Sequence, residues 1–478
     1  MPIQDATKTD MPTYQAVDGG ATIDKPIHGL IKNKDDSRVE ELDTLKTFDY
    51  AKALAEHVKE CGTPLTVGVQ GEWGSGKTSL LNMMREQIEE TDHKKGHNKQ
   101  GSALGKEIFK TIWINTWEHS LLKTPEECLL SIINEIIDTI AVVDGSWNSA
   151  QKAKSALSSL AKGALRIGAT AALGSKGGEV ADEMLGQSTD DANSVKILRS
   201  TLEDSIKTIV DRSEQDYRKF IIFIDDLDRL DPPTAVMVLE LLKNIFDLPH
   251  CVFVVAIDYQ VVVKGLKEKF GEPTEANEWE FRAFFDKIIQ LPFMMPMTRY
   301  KLDAYLEDLL VGVDYLKRNE IKNFNYLQSL TRMTIGYNPR SLKRLVNSLS
   351  LILKYNQKRA KDEGATEKQL FQLKQLILAL VCIQISFPKI FDLLRSMPTF
   401  YEWDDDFVNK MTGGPHTENK ELASSLSRAM EVNSEDFDTE WEQSLFKVVW
   451  VNKWQRDKLV QASRVLSIIE EMILYRTS

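Results

Sequence analysis

Residues 71–78 have the types and the spacing that are needed to hold a polyphosphate. They read GEWGSGKT and fit the pattern G-x-x-x-x-G-K-[ST]. In this pattern glycines let successive backbone N–H groups curl around phosphates, the lysine reaches the terminal phosphates, and the hydroxyl holds Mg²⁺. The alternative is a glycine-rich turn that matches by chance. We expect contacts with a bound nucleotide from Gly71, Glu72, Trp73, Gly74, Ser75, Gly76, Lys77, Thr78 and Ser79.

The flanking residues place this phosphate loop between a strand and a helix. Residues 65–70 (LTVGVQ) form an apolar run typical of a buried strand, and residues 79–85 (SLLNMMR) read as the start of a helix. The N-terminal end of a helix favours an anion because its free N–H groups and its dipole point toward the ligand. These flanks argue against a chance match. Lys77 is therefore also a candidate catalytic residue, and Thr78 is a candidate metal ligand.

A second motif supplies the carboxylates that such a loop requires. Residues 220–231 read FIIFIDDLDRLD, a hydrophobic strand that ends in acidic residues. Asp225 at the strand end is a candidate ligand for Mg²⁺, and Asp226 is a candidate catalytic base that polarises an attacking water. Two adjacent carboxylates after an apolar strand can also be a plain solvated turn. The phosphate loop favours the catalytic interpretation, because phosphoryl transfer uses both groups.

Two other strand ends carry polar side chains that can be interpreted in two ways. Asn115 ends the second predicted strand, where an amide can hold the catalytic carboxylate in an inactive position or serve only as a turn residue. Asp258 follows residues 251–257, where a carboxylate can sense the terminal phosphate or cap the next helix. The sequence favours the turn for Asn115 and leaves the two roles of Asp258 open.

Two arginines can act on a phosphate from outside the loop. Residues 336–340 (GYNPR) precede a predicted helix, and a cation such as Arg340 at a helix start is unfavourable unless an anion is near. This predicts a catalytic, phosphate-sensing Arg340 in a helical lid, with a solvated basic face as the alternative. Arg229 is either a finger that acts between subunits or the ion-pair partner of Asp228 or Asp231.

The elements that must position these residues predict an α/β fold. Five continuous apolar runs, separated by helical stretches, indicate a parallel sheet with helices on both faces. They are residues 65–70, 110–115, 220–224, 251–257 and 287–293. After Pro296 the apolar periodicity is helical, with long runs at 340–363 and 367–385.

This pattern divides the chain into four parts. Residues 1–45 form a polar N-terminal lead-in, and residues 46–300 form the nucleotide-binding core with an insertion at about 141–210. Residues 301–365 form the helical lid, and residues 366–478 form a C-terminal helical region. The insertion contains an Ala- and Gly-rich stretch, 163–174, that is too short to span a bilayer. This stretch is either a weak surface helix, able to touch a membrane or a partner, or a disordered insertion.

Composition and charge narrow the class of protein. The net charge of −11 disfavours a surface built for nucleic acid, although it leaves a local basic patch open. The four cysteines are scattered and form no C-x-x-C pair, which suits a reducing cytoplasm without disulfides or structural zinc. No run of about 18 uncharged apolar residues occurs, so we predict no integral membrane span. The expected location is cytoplasmic.

The nucleotide base is expected to be adenine. Guanine-specific proteins with this kind of loop usually read their base with N-K-x-D, placed after the loop. Residues 33–36 (NKDD) match those letters but precede the loop, within the polar lead-in. Because no such motif follows the loop, ATP with Mg²⁺ is the expected cofactor pair.

The assembled motifs resemble those of the KAP family of P-loop NTPases. The likeness covers roughly residues 24–350 and rests on five stretches that occur in the family's order. These are GEWGSGKTSLL at 71–81, INTW at 114–117, IDDLDR at 224–229, KIIQLPF at 287–293 and NPRSLKR at 338–344. The remaining C-terminal part carries no signature of the family.

The resemblance implies a P-loop NTPase core of the additional-strand type, with a parallel five-stranded sheet in the order 5-1-4-3-2, and a helical extension. It also implies Mg-ATP as the ligand. Many members of the family insert transmembrane helices between the phosphate loop and the acidic strand, whereas the insertion in this chain is soluble in composition. Bacterial relatives include phage-exclusion proteins and components of defence operons. Animal relatives are membrane signalling scaffolds.

Three functional hypotheses follow from the motifs and the resemblance. The first is an ATP-hydrolysing conformational switch in bacterial antiviral defence, with a protein partner or a second copy of the chain as its assembly partner. The second is a DNA-associated ATPase motor, supported by a basic stretch that begins at Arg340, Lys343 and Arg344. The third is a scaffold that binds ATP without hydrolysing it.

Overall fold

The structure, a computed structural model, describes most of the chain between residues 43 and 386. The described ranges are 17–18, 21–22, 43–95, 108–144, 151–155, 196–211, 217–324, 327–362, 364 and 366–386, without positions 44, 122, 152 and 246. The stretch 163–174 and the chain beyond residue 386 lie outside these ranges, so the predictions made for them are not addressed by the structure.

The described strands form two separate sheets. β1 (Val17–Asp18) and β2 (Ala21–Thr22) pair with each other in antiparallel fashion. The larger sheet is parallel and contains β3 (Leu65–Gln70), β4 (Ile108–Asn115), β5 (Tyr217–Asp225), β6 (Cys251–Ile257) and β7 (Leu291–Met294). Its strand order is β4-β5-β6-β3-β7. Counted along the chain, these five strands run 5-1-4-3-2 from the β7 edge, which confirms the predicted fold class.

Helices follow each strand of the parallel sheet, and the described elements after the last strand are all helical. The helices that accompany the sheet are α1 (Phe48–Glu60), α2 (Lys77–Lys95), α3 (Thr116–Ser120), α4 (Pro125–Asp144), α5 (196–211), α6 (Pro232–Ile245), α7 (Tyr259–Phe270) and α8 (Glu278–Ile288). Those that follow β7 are α9 (Leu302–Gly312), α10 (Arg318–Lys322), α11 (Leu327–Thr334), α12 (Pro339–Asp362) and α13 (Glu367–Ser386).

The last strand is shorter than the sequence predicts. We expected a strand over 287–293, but Lys287 and Ile288 are the last residues of α8, and β7 begins at Leu291. Ile288 is buried on the same face of α8 as Phe281, Phe284 and Phe285. The first residues of this apolar run therefore belong to a helix and the last ones to a strand. Periodicity does not distinguish a helix from a strand in so short an apolar run.

The core of the parallel sheet is apolar and closely packed. All seven residues of β6, the strand between β5 and β3, are buried. Where α6 and α7 pack, a Cβ atom on Gly265 would lie 2.2 Å from the carbonyl oxygen of Pro232. Only glycine permits this backbone approach. The α6 helix, which begins directly after the acidic motif, is thus held at a fixed depth against its neighbour.

The described elements belong to two compact units. The first contains the parallel sheet and α1–α8, and the second contains β1, β2 and α9–α13. The chain passes from the first unit to the second between Pro296 and Met297. The division into parts at 46–300, 301–365 and 366–478 stays a prediction.

The second unit uses residues from both sides of the first unit in the sequence. The Asn347 side chain of α12 accepts from the backbone N–H of Thr22 at 2.6 Å and donates to the Thr22 carbonyl at 3.1 Å. The Thr22 hydroxyl donates to the backbone carbonyl of Lys343 at 3.1 Å. The prediction of a polar lead-in at 1–45 missed this strand pair, because strands of two residues carry no readable periodicity.

Among the described helices, none is long and apolar enough to cross a lipid bilayer.

Candidate functional site

The phosphate loop connects the end of β3 to the start of α2. Gly74 and Gly76 have φ angles of 89° and 100°, a region that residues with a side chain rarely adopt. These angles turn the chain sharply before the helix begins at Lys77. The indole of Trp73 stands out from the loop, with 62% of the residue's surface exposed.

Lys77 folds back over the loop that precedes it. Its ammonium donates to the carbonyl oxygens of Gly71 at 2.8 Å and Glu72 at 3.2 Å. It also forms a salt bridge of 2.7 Å with the Oδ2 atom of Asp228. The side chains of both ions are buried, with relative exposures of 6% and 5%. The sequence suggests Asp228 only as a partner of Arg229, so its contact with Lys77 is a finding of the structure.

The start of α2 has features that suit an anionic ligand. The first turn of this helix contains no acidic residue that would offset its dipole. Together with the Lys77 ammonium, the free N–H groups of this turn favour a negatively charged ligand. The residues predicted to contact the phosphates, 71–79, therefore occupy a position suited to that role.

Thr78 and Asp225 lie in contact with each other beside the loop. The Thr78 hydroxyl donates a hydrogen bond to the Asp225 carboxylate, and Asp225 is 3% exposed. A hydroxyl and a carboxylate are the hard oxygen ligands that Mg²⁺ prefers. The backbone carbonyl of Asp225 accepts from the Thr116 hydroxyl at 2.9 Å, which ties the end of β5 to the start of α3. The donor set thus fits the magnesium role predicted for both residues.

The pKa of Asp225 is raised from its ordinary value of 3.8 to about 6, and burial of the carboxyl group is the largest cause. The negative charges of Asp226 and, to a lesser degree, Asp228 contribute to this rise. Hydrogen bonds from the Asp226 backbone and the Thr78 hydroxyl act in the opposite direction. An ionised Asp225 is therefore costly in this protein, and a bound cation would remove that cost.

This raised pKa predicts a pH dependence of folding stability. The unfolded chain loses the Asp225 proton near pH 3.8, whereas the folded chain keeps it until about pH 6. As the pH rises through this window the folded state holds more protons than the unfolded state, so its stability falls, in total by on the order of 3 kcal/mol. Asp225→Asn should therefore unfold at a higher temperature than the parent protein at about pH 8, with the gap reduced by about half at about pH 5.

The measurement is thermal unfolding of both proteins across this pH range, without metal or nucleotide. Asp231→Asn is a suitable control, because Asp231 caps α6 by accepting from the Thr234 backbone at 3.1 Å and Asn caps equally well. A gap between Asp225→Asn and the parent that does not change with pH contradicts the raised pKa.

Asp226 has an unusual backbone conformation and an ion-pair partner. Its φ and ψ angles of 59° and 24° are left-handed, a conformation that Asp tolerates better than most residues. Its Oδ1 atom lies 2.7 Å from Nε of Arg229. The Arg229 guanidinium in turn lies over the ring of Trp117, 5.0 Å from its centroid. Of the two ion-pair partners considered for Arg229 as an alternative to a finger role, Asp228 binds Lys77 and Asp231 caps α6. The ion pair that Arg229 forms is with Asp226.

The polar residues at the other strand ends cap helices. The Asn115 side chain accepts from the Trp117 backbone at 3.2 Å and donates to Glu118 at 3.0 Å. The Asp258 side chain accepts from the Gln260 backbone at 3.0 Å and caps α7. These contacts favour the turn role for Asn115 and the capping role for Asp258.

Arg340 lies in the second unit, at the start of α12. Its backbone N–H donates to the Asn338 side chain at 3.1 Å, which is a helix-capping contact. Its phosphate-sensing role stays a prediction. The neighbouring Lys343 is 8% exposed, so the basic stretch considered for DNA binding does not form one uninterrupted solvent-facing strip.

These features define a class of protein. A glycine loop that joins a buried parallel strand to a helix, beside a second strand ending in carboxylates, is the arrangement of P-loop nucleotide-binding proteins. In the sheet order β4-β5-β6-β3-β7, one strand, β6, lies between the acidic strand β5 and the loop-bearing strand β3. The fold and the site together are those of a P-loop NTPase.

The model of the KAP family P-loop domain matches residues 48–356. The chain belongs to the KAP family of P-loop NTPases, as the resemblance in sequence predicted.

One known protein is similar to part of this chain in sequence, and one solved structure aligns with it. The Phage T7 exclusion protein of Escherichia coli (strain K12) is 26% identical over 137 residues, which is 27% of this chain and 18% of that protein. The chain therefore matches less than a fifth of that relative's length. The structure of the Aeropyrum pernix ORC1 protein in complex with DNA aligns over 90% of this chain and 82% of its own, at 12% identity. Its TM-score of 0.34 is too low to carry a conclusion.

Proposed function

We propose that this chain is a Mg-dependent ATPase whose nucleotide cycle drives a conformational switch in antiviral defence, with a partner protein as effector. The arrangement of Lys77, Thr78, Asp225 and Asp226 at one end of the sheet supports the phosphoryl-transfer part of this proposal. The absence of an N-K-x-D motif after the phosphate loop supports adenine over guanine. The four free cysteines support a reducing compartment, for which we propose the cytoplasm.

In the proposed reaction each group of the chain has one task. Backbone N–H groups of the loop and the Lys77 ammonium bind and orient the phosphates. Thr78 and Asp225 would hold Mg²⁺, which neutralises charge on the phosphate oxygens when it is bound. Asp226 would accept the proton of the attacking water. Because its carboxylate is paired with Arg229, that ion pair must open or shift before Asp226 can act.

The biological part of the proposal depends on a relative. The match to the T7 exclusion protein, together with membership of the KAP family, supports a role in excluding phages. Because this match covers 18% of that protein, the partner and the trigger are proposals in their own right.

The biochemical test is steady-state hydrolysis by the full chain. We expect ATP to be hydrolysed only when Mg²⁺ is present, and GTP to be a poorer substrate. Equal turnover of ATP and GTP contradicts adenine specificity. Tight binding of ATP with no turnover, alone or with a co-purified partner, would instead favour the scaffold hypothesis.

The biological test is phage plating on cells that express the chain at a moderate level. We expect fewer plaques from T7 or from other tailed phages, and full plating on cells that express Lys77→Ala at the same level. If plating is unchanged for every phage while purified protein hydrolyses ATP, the ATPase assignment stands and the defence role is wrong.

A further inference from the structure

The salt bridge between Lys77 and Asp228 joins the two halves of the site. Asp228 lies 151 positions after Lys77 in the sequence, yet its Oδ2 atom is 2.7 Å from the ammonium. The carboxylate sits where the loop and the start of α2 favour an anion. Asp228 thus makes, from within the chain, the contact with Lys77 that a nucleotide phosphate is expected to make.

A phosphate and Asp228 cannot both be the principal partner of this ammonium. Lys77 already donates to the carbonyl oxygens of Gly71 and Glu72, so its third N–H donor is the one given to Asp228. A phosphate that takes this donor leaves a buried carboxylate without its counter-ion. An uncompensated buried charge is strongly unfavourable, so the carboxylate must move or find another partner.

Asp228 lies on a turn that also carries the partner of Asp226. The 3₁₀ turn Leu227–Arg229 contains Asp228 at its centre and Arg229 at its end. Arg229 binds the Asp226 carboxylate at 2.7 Å and stacks on Trp117. Arg229 directly follows Asp228, so a displacement that moves the backbone at Asp228 also moves Arg229 and its ion pair with Asp226.

We propose that Asp228 is a built-in competitor of the nucleotide, whose displacement from Lys77 shifts the Leu227–Arg229 turn and releases Asp226 from Arg229. This inference rests on the proposed nucleotide binding and adds to it a regulatory residue. It makes ATP binding itself the event that prepares the candidate base. The competition from Asp228 also lowers the apparent affinity for nucleotide. Only the fraction of molecules in which Lys77 is released from Asp228 is competent to bind.

The test compares nucleotide affinity in the parent protein and in Asp228→Asn. Binding of ADP and ATP is measured by calorimetry with EDTA present, so that metal ligation does not contribute. The asparagine keeps the shape of the side chain but removes the charge that competes for Lys77. We expect Asp228→Asn to bind both nucleotides about tenfold more tightly, as expected when the competent fraction rises by that factor.

Asp231→Asn is the matched control for the loss of one negative charge. Asp231 lies three positions away and caps α6 by accepting from the Thr234 backbone N–H, a contact that the asparagine oxygen can also make. We expect its affinity to equal that of the parent. Unchanged or weaker binding by a folded Asp228→Asn, with normal binding by the parent, overturns the competitor role. If the parent binds neither nucleotide even when Mg²⁺ replaces EDTA, the proposed function fails and this inference fails with it.

A measurement on the parent chain tests the coupling without any substitution. Backbone hydrogen exchange is followed in residues 226–230 and in the phosphate loop while ADP is added in EDTA. We expect slower exchange in the loop and faster exchange in the turn, whose N–H groups of Arg229 and Leu230 donate to Asp226 and Leu227. Slower exchange in the loop with no change in the turn overturns the coupling. Because this measurement uses only the parent chain, it remains decisive even when Asp228→Asn does not fold.

Discussion

Lys77→Ala should lower the rate of ATP hydrolysis by about 10²–10³-fold, the loss typical when one preorganised donor to a transition-state anion is removed. The Lys77 ammonium is buried and is held within the loop by two carbonyl oxygens. Nucleotide affinity should fall as well, because the ammonium contacts the ground state and the transition state alike. Turnover assays and calorimetry on the same preparation separate the two effects.

This substitution also removes the counter-ion of Asp228, so its effect on folding must be separated from its effect on catalysis. Removing one partner of a buried ion pair costs roughly 3–5 kcal/mol of stability. The double variant Lys77→Ala, Asp228→Asn leaves no buried charge unpaired at this position. We expect it to regain most of the lost unfolding temperature and none of the lost activity. Hydrolysis by the double variant at the parental rate would show that Lys77 has no role in catalysis.

Asp226→Asn should lower kcat by about 10²–10⁴-fold, the usual contribution of a positioned general base, with little change in ATP affinity. Asparagine tolerates the left-handed backbone found at this position, and its side-chain oxygen can still accept from Arg229. The fold should therefore survive the change. A single-turnover experiment with prebound ATP isolates the chemical step.

The expected result is a protein that binds ATP normally and holds it unhydrolysed. Parental single-turnover rates in Asp226→Asn would show that another group activates the water. A matching loss of affinity and rate would instead assign Asp226 to binding.

The sequence predicts the central strand β6 well because this strand is buried on both faces. In β6 every residue from Cys251 to Ile257 is buried, and the predicted and observed bounds agree. The helix α1 is also readable from the sequence, since Ala51, Leu54, Ala55 and Val58 recur at helical spacing and form one buried face. The residues 287–290 were misassigned because apolar character alone does not separate the end of a helix from the start of a strand.

The candidate site was predicted as a set of residues but not as a set of contacts. Spacing places Lys77, Thr78, Asp225 and Asp226 in two motifs, and the sheet order brings those motifs together. Which carboxylate binds which cation depends on the path of the 3₁₀ turn. Side chains three positions apart in such a turn lie above one another, which is how Arg229 comes to face Asp226. The Lys77–Asp228 pair spans 151 positions, and no local pattern reports it.

The bonds from Thr22 to Asn347 have a consequence for how the protein is made. Their partners lie 325 positions apart, with the whole parallel sheet encoded between them. At a synthesis rate of about 5–20 residues per second, Thr22 leaves the ribosome roughly 16–65 s before Asn347 does. The unit that contains the parallel sheet can fold during that interval. The second unit cannot form completely until α12 has been synthesised. The β1–β2 segment is thus translated before the parallel sheet, yet it acquires its partner in α12 only after the whole sheet has been synthesised.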